Sequence, residues 1–258
     1  PHGDAAIGSA LVVMANKEYV IDKQGNFGNL LTGDPASASR YIEARLTPLA
    51  KETLFNTELT EYAESYDGRN KEPVVLPCKL PLSLLFGAEG IAVGMSTRIL
   101  PHNINEIIDA QIAFLQNKSF KLRPDFLSGG LLDASEYEDG NGKVRVRAKI
   151  EITDDKLLTV RELPFGVTTE SLIQSIQDAV NKGKFKLSSI DNFTAETVEI
   201  ELKATRGMDA EKLLKLLYAF TQCEVSISVN MLLIQDNQPV QLNTSEVLIR
   251  NTLRLKDL

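Results

Sequence analysis

The sequence predicts an α+β fold, and three patterns carry that prediction. Apolar residues recur at helical spacing in several stretches, Asp209 to Phe220 among them. Elsewhere they alternate with charged residues, most clearly from Lys143 to Ile152, where the first four of these are cations, and this is the period of a half-buried strand. Runs of strands and runs of helices are mixed along the chain, as α+β architecture requires. The 258 residues, 43% hydrophobic and 24% charged, are ample for a sizeable core in one large domain or two ordinary ones.

Taken in order, Ala5 to Asn16 reads as a helix and Glu18 to Ile21 as a short strand, and Gln24-Gly25-Asn26-Phe27-Gly28-Asn29 is a loop. Asp34-Pro35 has the form of a helix start, an Asp cap with Pro at the first helical position. Ala38, Ile42, Leu46 and Leu49 follow at helical spacing, which places Arg40 and Tyr41 in the first two turns at the rim of the apolar stripe. Thr47-Pro48 kinks that helix or restarts it. Lys79 to Phe86 reads as a buried strand, and Gly87 to Gly94 as a glycine-rich hairpin. Asn103 with Glu106 resembles a capping box opening a helix to about Asn117. An acidic, turn-rich stretch, Asp133 to Gly142, precedes the alternating strand, whose outward face is the row Lys143, Arg145, Arg147, Lys149. Further strands are expected at Leu157 to Leu163, Thr197 to Lys203 and Glu224 to Val229. Helices are expected at Thr169 to Lys182, at Asp209 to Phe220 and from Ser245 onward.

The net charge of −7 argues, taken alone, against a nucleic-acid binder, yet DNA binding needs only a local basic surface. No stretch approaches the roughly 18 apolar residues of a membrane helix, and no signal-peptide pattern opens the chain. Two distant cysteines, Cys78 and Cys223, suit reduced thiols in a cytosolic protein. The chain begins at Pro1 without an initiator Met, as an internal fragment would. It has no Gly-rich phosphate loop with Lys-Ser/Thr, and no compact carboxylate cluster suited to two Mg²⁺ ions. The acidic stretch Asp133 to Asp139, with no His or Cys beside it, reads as a solvated loop.

Six segments in a fixed order resemble the A subunit of the bacterial type IIA topoisomerases, DNA gyrase and topoisomerase IV. They are Pro1-His2-Gly3-Asp4, Gln24-Gly25-Asn26-Phe27-Gly28, Ser39-Arg40-Tyr41-Ile42-Glu43-Ala44-Arg45-Leu46, Gly90-Ile91-Ala92-Val93-Gly94-Met95-Ser96-Thr97, Pro101-His102-Asn103 and Pro124-Asp125-Phe126. Gly87-Ala88-Glu89-Gly90 and the run Tyr218 to Glu224 are more similar to topoisomerase IV. The resemblance covers essentially the whole chain. It implies the rest of a CAP-like winged-helix domain over 1–82, an α/β tower domain over 83–235 and the start of a coiled-coil arm over 236–258.

The resemblance also implies the chemistry. A tyrosine hydroxyl displaces a deoxyribose oxygen and keeps the phosphate as a 5′-phosphotyrosine, so the bond energy is held for resealing. Free tyrosine has a pKa of about 10 and needs help to attack, and the phosphoryl oxygens need positive charge as the transition state forms. Tyr41 matches the family's nucleophile and Arg40 its neighbouring guanidinium. His2 matches a phosphate-contacting residue, and Ile91 an isoleucine that wedges between base pairs of the bent DNA. Arg145 and Arg147 could track the bent duplex, or the whole cationic row could be a solvated face. His102 is expected to organise the turn before its helix. Mg²⁺ and ATP are implied for a partner B subunit, within an A2B2 assembly built on a homodimer of this chain's subunit, in the cytoplasm on the nucleoid.

Two positions depart from the family. Ala5 stands where Ser is common, and Ser9 where an acidic residue is common, at the sites that anchor quinolone drugs through a water-bridged metal. Weak quinolone sensitivity follows. The tower is also short around Gly129 to Gly142. The competing reading from another class is a non-catalytic DNA-bending architectural protein with the same winged helix and wedge. A tyrosine recombinase would want several Arg and His around its tyrosine, and this chain has two histidines.

Overall fold

Antiparallel pairing accounts for every strand ladder in the structure, a computed structural model that describes residues 3–257. The α+β class is as the sequence indicates. The chain divides into two units, one of residues 3–28, 35–124 and 231–257, the other of residues 29–34 and 125–230. These divisions fall at Gly28/Asn29, Asp34/Pro35, Pro124/Asp125 and Asn230/Met231.

The first unit opens with α1 (Asp4–Asn16) and β1 (Ile21–Gln24), followed by a 3-10 turn (Ser39–Tyr41) and β2 (Glu43–Leu46). Two of the sequence expectations fail here. Glu18 and Tyr19 take positive φ and form a turn, so the strand starts at Ile21 and runs three residues further than expected. The helix expected from Asp34-Pro35 is absent. The Asp34 carboxylate instead accepts from the Thr32 hydroxyl at 2.5 Å, within the tight loop closed by Asn29 N–H donating to the Asp34 carbonyl oxygen at 3.0 Å. Residues 43–46 pair with β1 in the register Gln24↔Glu43 to Ile21↔Leu46, a tertiary pairing that overrides local helical spacing. All four side chains of β2 are exposed, so no alternation announces a strand. Thr47-Pro48 does restart the chain as α2 (Pro48–Leu54), with the Thr47 hydroxyl accepting from Ala50 N–H at 3.1 Å. Val20, Ala50 and Leu54 close a small core beneath β1, with Tyr19, Cys78, Leu82 and Phe86 against it.

An exposed hairpin of β3 (Tyr62–Glu64) and β4 (Lys71–Pro73) comes next. The buried strand expected over Lys79 to Phe86 is instead a short helix, α3 (Leu82–Phe86), burying Leu84 and Leu85. A short apolar run has no period that separates strand from buried helix. β5 (Ala88–Ala92) and β6 (Met95–Ile99) form the expected hairpin with Gly94 at φ 71 in its turn, though it extends past Gly94 to Ile99. α4 (Ile104–Leu115) is capped by the Asn103 side chain, which accepts from Asn105 N–H at 2.9 Å.

The second unit contains β7 (Leu131–Asp133), β8 (Lys143–Arg147), β9 (Lys149–Asp154), β10 (Leu157–Glu162), α5 (Thr169–Asn181), β11 (Leu187–Asn192), β12 (Ile200–Ala204), α6 (Ala210–Phe220) and β13 (Glu224–Ser228). The sheets are β11-β12-β10-β9 and β13-β8-β7. The single strand expected from Lys143 to Ile152 is two strands in two sheets. Arg147↔Glu224 ends one ladder, Ala148 N–H reaches the Cys223 carbonyl oxygen at 2.8 Å, and Lys149 begins the pairing with β10. The inward period survives only through β8, where Val144 and Val146, with Ala148 after them, are buried; on β9 Ile150 is half-buried and Ile152 exposed. Helices α5 and α6 lay Leu172, Ile176, Leu213 and Leu217 against Leu158, Ile200 and Leu202, the main core of this unit. Both helices start on hydroxyl or carboxylate caps, Thr168 and Asp209.

The chain then supplies the first unit with β14 (Leu232–Gln235), β15 (Gln238–Gln241) and α7 (Thr244–Asp257). Asp236 and Asn237, both at positive φ, make the two-residue turn that suits strand twist. Among the described residues no helix is long and apolar enough to cross a membrane.

Candidate active site

Tyr41 stands on the 3-10 turn, where its backbone N–H donates to the Ala38 carbonyl oxygen at 2.9 Å and Ile42, in extended conformation, leads straight into β2. The residue is 66% exposed. A tyrosine on a helix rim would keep part of its ring in the core. Here the turn lifts it clear. The Arg40 guanidinium lies over the Tyr41 ring, 4.7 Å from its centroid, and among the described residues no carboxylate pairs with it. A permanent cation and a phenol thus share one exposed turn.

That turn is held from beneath by the Gln24–Gly28 loop. Ser37 N–H donates to the Asn26 carbonyl oxygen at 3.0 Å. The loop is itself fixed. Phe27 is buried, and the Asn16 side-chain amide of α1 donates to the Phe27 carbonyl oxygen at 2.8 Å. The Asn26 carboxamide oxygen accepts from Gly28 N–H at 2.8 Å. Sequence reasoning recognises this loop as a motif but not as the support of the tyrosine turn.

His2 lies outside the described residues. Ala5 and Ser9 sit one turn apart on the exposed face of α1, and the Ser9 hydroxyl donates to the Ala5 carbonyl oxygen at 3.0 Å. Ile91 is 88% exposed near the tip of the β5–β6 hairpin, with Val93 beside it at 99%. An isoleucine that free of neighbours has no packing role within this chain. His102 is buried, its Nδ1 donating to the Leu84 carbonyl oxygen at 3.1 Å, so it organises the turn into α4.

The cationic row is exposed but not free. Lys143 pairs with Glu136 at 2.8 Å, Arg145 with Asp133 at 2.8 Å, Arg147 with Glu224, and Lys149 with Glu162 at 3.0 Å. Half of these anions come from the acidic stretch expected to be a solvated loop. The Ser135 hydroxyl and N–H, followed by Arg145, hold the Asp133 carboxyl below its ordinary range. Glu162 is lowered chiefly by the Gly130 N–H at 2.7 Å, with Lys149 adding to it against partial burial. Arg147 also stacks over Tyr218, whose hydroxyl donates to the Ala148 carbonyl oxygen at 2.9 Å. Burial pushes that phenol up. Burial also raises both thiols, Cys223 to about 12. Among the described residues no three His, Cys, Asp or Glu side chains are grouped to hold a metal.

The sequence of residues 1–256 matches the family model for the A subunit of DNA gyrase/topoisomerase IV. The chain belongs to that family. The A subunit of DNA topoisomerase 4 from Borreliella burgdorferi is 58% identical over 240 residues, 93% of this chain and 38% of that protein. DNA gyrase A subunits from Leptospira biflexa and Mycobacterium tuberculosis are 35% and 37% identical, each over 96% of this chain. The gyrase alignments run over 273 and 278 positions, more than the 258 residues here, so those gyrases carry insertions relative to this chain. Within the family, then, the chain is more similar to that topoisomerase 4 protein than to either gyrase. It spans about a third of the length of the relatives it matches.

Proposed function

We propose that this chain is the DNA-cleaving and religating part of an ATP-dependent type II topoisomerase of the topoisomerase IV kind. The observation that carries the reading is the Arg40–Tyr41 turn: an exposed phenol beside a guanidinium that no carboxylate among the described residues neutralises. In the cleavage step the Tyr41 oxygen bonds to phosphorus as the bond to the deoxyribose 3′ oxygen breaks. The phenol gives up its proton and the departing 3′ oxygen takes one. One phosphoester replaces another, so resealing needs no new energy source. Arg40 offers charge to the phosphoryl oxygens as negative charge grows there. Ile91 wedges between base pairs at the bend, with His2 on a phosphate. Arg145 and Arg147 reach DNA only by exchanging Asp133 and Glu224 for phosphate oxygens.

Within the same proposal, Mg²⁺ and ATP are assigned to a B subunit in an A2B2 complex in the cytoplasm. The winged-helix, tower and coiled-coil identities belong to the same proposal. In that proposal residues 1–82 belong to the first, 83–235 to the second and 236–258 to the beginning of the third. The test is Tyr41→Phe in the full-length protein with its partner. Loss of the covalent protein–DNA adduct with DNA binding retained supports the enzyme. An adduct that persists removes Tyr41 as nucleophile, and absence of any adduct from the unaltered protein favours the architectural, DNA-bending reading.

A further inference from the structure

The backbone of the Tyr41 turn passes unusually close to Gly25. A Cβ on Gly25 would lie 2.7 Å from the Tyr41 carbonyl oxygen and 3.3 Å from Ile42 Cα, and Gly25 has φ +96, a conformation side-chain-bearing residues rarely adopt. Both neighbours are main-chain atoms, so no side-chain rotation relieves the clash. Gly8 of α1 makes the informative contrast. Its Cβ would lie 2.5 Å from Ser39 Oγ but 3.7 Å from Ser39 Cβ, and turning one hydroxyl opens that space.

We infer that Gly25 is a positioning residue for the nucleophile: its missing side chain sets how deeply the Arg40–Tyr41 turn seats on the Gln24–Gly28 loop. The loop has a fixed back, through Asn16 to Phe27, and a tied flank, through Asn26 to Ser37. A methyl group at Gly25 therefore cannot push the loop away and moves the turn instead. Transesterification needs the phenolic oxygen in line with the leaving oxygen, and a displacement of about 1 Å can cost on the order of 100-fold in rate. Binding of the duplex rests on many contacts spread over a large surface and does not share that sensitivity.

The inference rests on the proposed cleavage role, and the experiment separates the two. Gly25→Ala, Gly8→Ala, Gly68→Ala and Tyr41→Phe are compared in the full-length protein with its partner. The readouts are thermal midpoint, DNA affinity and the rate of adduct formation at saturating DNA. Gly68 also has positive φ, but a Cβ there meets nothing within 4 Å, so it controls for backbone strain alone. The expected result for Gly25→Ala is an adduct rate about 100-fold down with affinity within about threefold. Gly8→Ala and Gly68→Ala should keep the wild-type rate. Should Gly25→Ala fail to fold, Asn16→Ala loosens the same loop without strain and should show the same split to a smaller degree. A wild-type rate in the folded loop variant, with Tyr41→Phe inactive, overturns the positioning role alone. An adduct retained by Tyr41→Phe overturns both.

Discussion

Two cationic stretches of this chain present opposite physics. The Arg40–Tyr41 turn carries one guanidinium, exposed, stacked on a phenol and without a carboxylate partner among the described residues. The strand face from Lys143 to Lys149 carries four cations, and each has an anion against it. The count of positive residues points to the second. Availability of charge points to the first. A cation already paired must give up its anion before it can serve a phosphate, whereas Arg40 loses only a ring contact of modest worth.

This contrast can be broken by experiment. The largest expected effect is at Arg40: Arg40→Ala should lower the cleavage rate about 100- to 1,000-fold with the melting temperature unmoved, the scale seen when one transition-state charge donor is removed. A loss under threefold, measured by adduct formation at saturating DNA, would place the charge elsewhere. Ile91→Ala should leave stability unchanged, since the side chain is 88% exposed. It should weaken the DNA bend, read by energy transfer between labelled duplex ends, and an unaltered bend removes the wedge. Ala5→Ser should strengthen quinolone-stabilised cleavage by restoring a hydroxyl on the exposed face of α1. An equal drug response from both proteins refutes the anchoring role. Smaller still, Arg145→Ala or Arg147→Ala should cost about 0.2–1 kcal/mol of stability each, with cleavage within a few-fold of the unaltered protein. A Kd rising tenfold for either would show that the strand gives up its anions to DNA.

The smallest effect concerns pH. The folded-state pKa of Glu162 lies below its ordinary value of 4.5, so its bonds to Gly130 and Lys149 stabilise the fold above that value. The contribution is lost as pH falls through the lowered pKa. The difference in melting temperature between wild type and Glu162→Gln should therefore be full at pH 7 and shrink below about pH 4. A difference that stays constant from pH 7 to pH 3 would mean that the carboxylate charge contributes nothing.

The helices of the second unit are legible in the sequence because each signal is local: a cap and an apolar stripe at Thr168 to Lys182 and at Asp209 to Phe220. The hairpin at Asp236-Asn237 also has a local turn signal, two residues that tolerate positive φ, although no strand pair is expected there from alternation alone. What stays hidden depends on partners distant in sequence. β2 takes its conformation from β1, twenty-odd residues earlier, and the apolar spacing of Ala38, Ile42, Leu46 and Leu49 is coincidence. The neutralised strand is likewise half visible. Its cations and the acidic stretch are both plain in the sequence, but their pairing belongs to the fold of β7 and β8 and to Glu224 on β13. Tyr41 and Arg40 stand out as a motif. The loop that seats them does not, because a close approach between backbones leaves no mark in residue type beyond a single glycine.

The most direct measurement is to trap the covalent complex with a labelled duplex, digest it, and find by mass spectrometry which tyrosine carries the nucleotide. One modified peptide is expected, bearing the phosphodiester on Tyr41 next to Arg40. A nucleotide on any of the other five tyrosines would assign the nucleophile elsewhere and undo the role given to this turn.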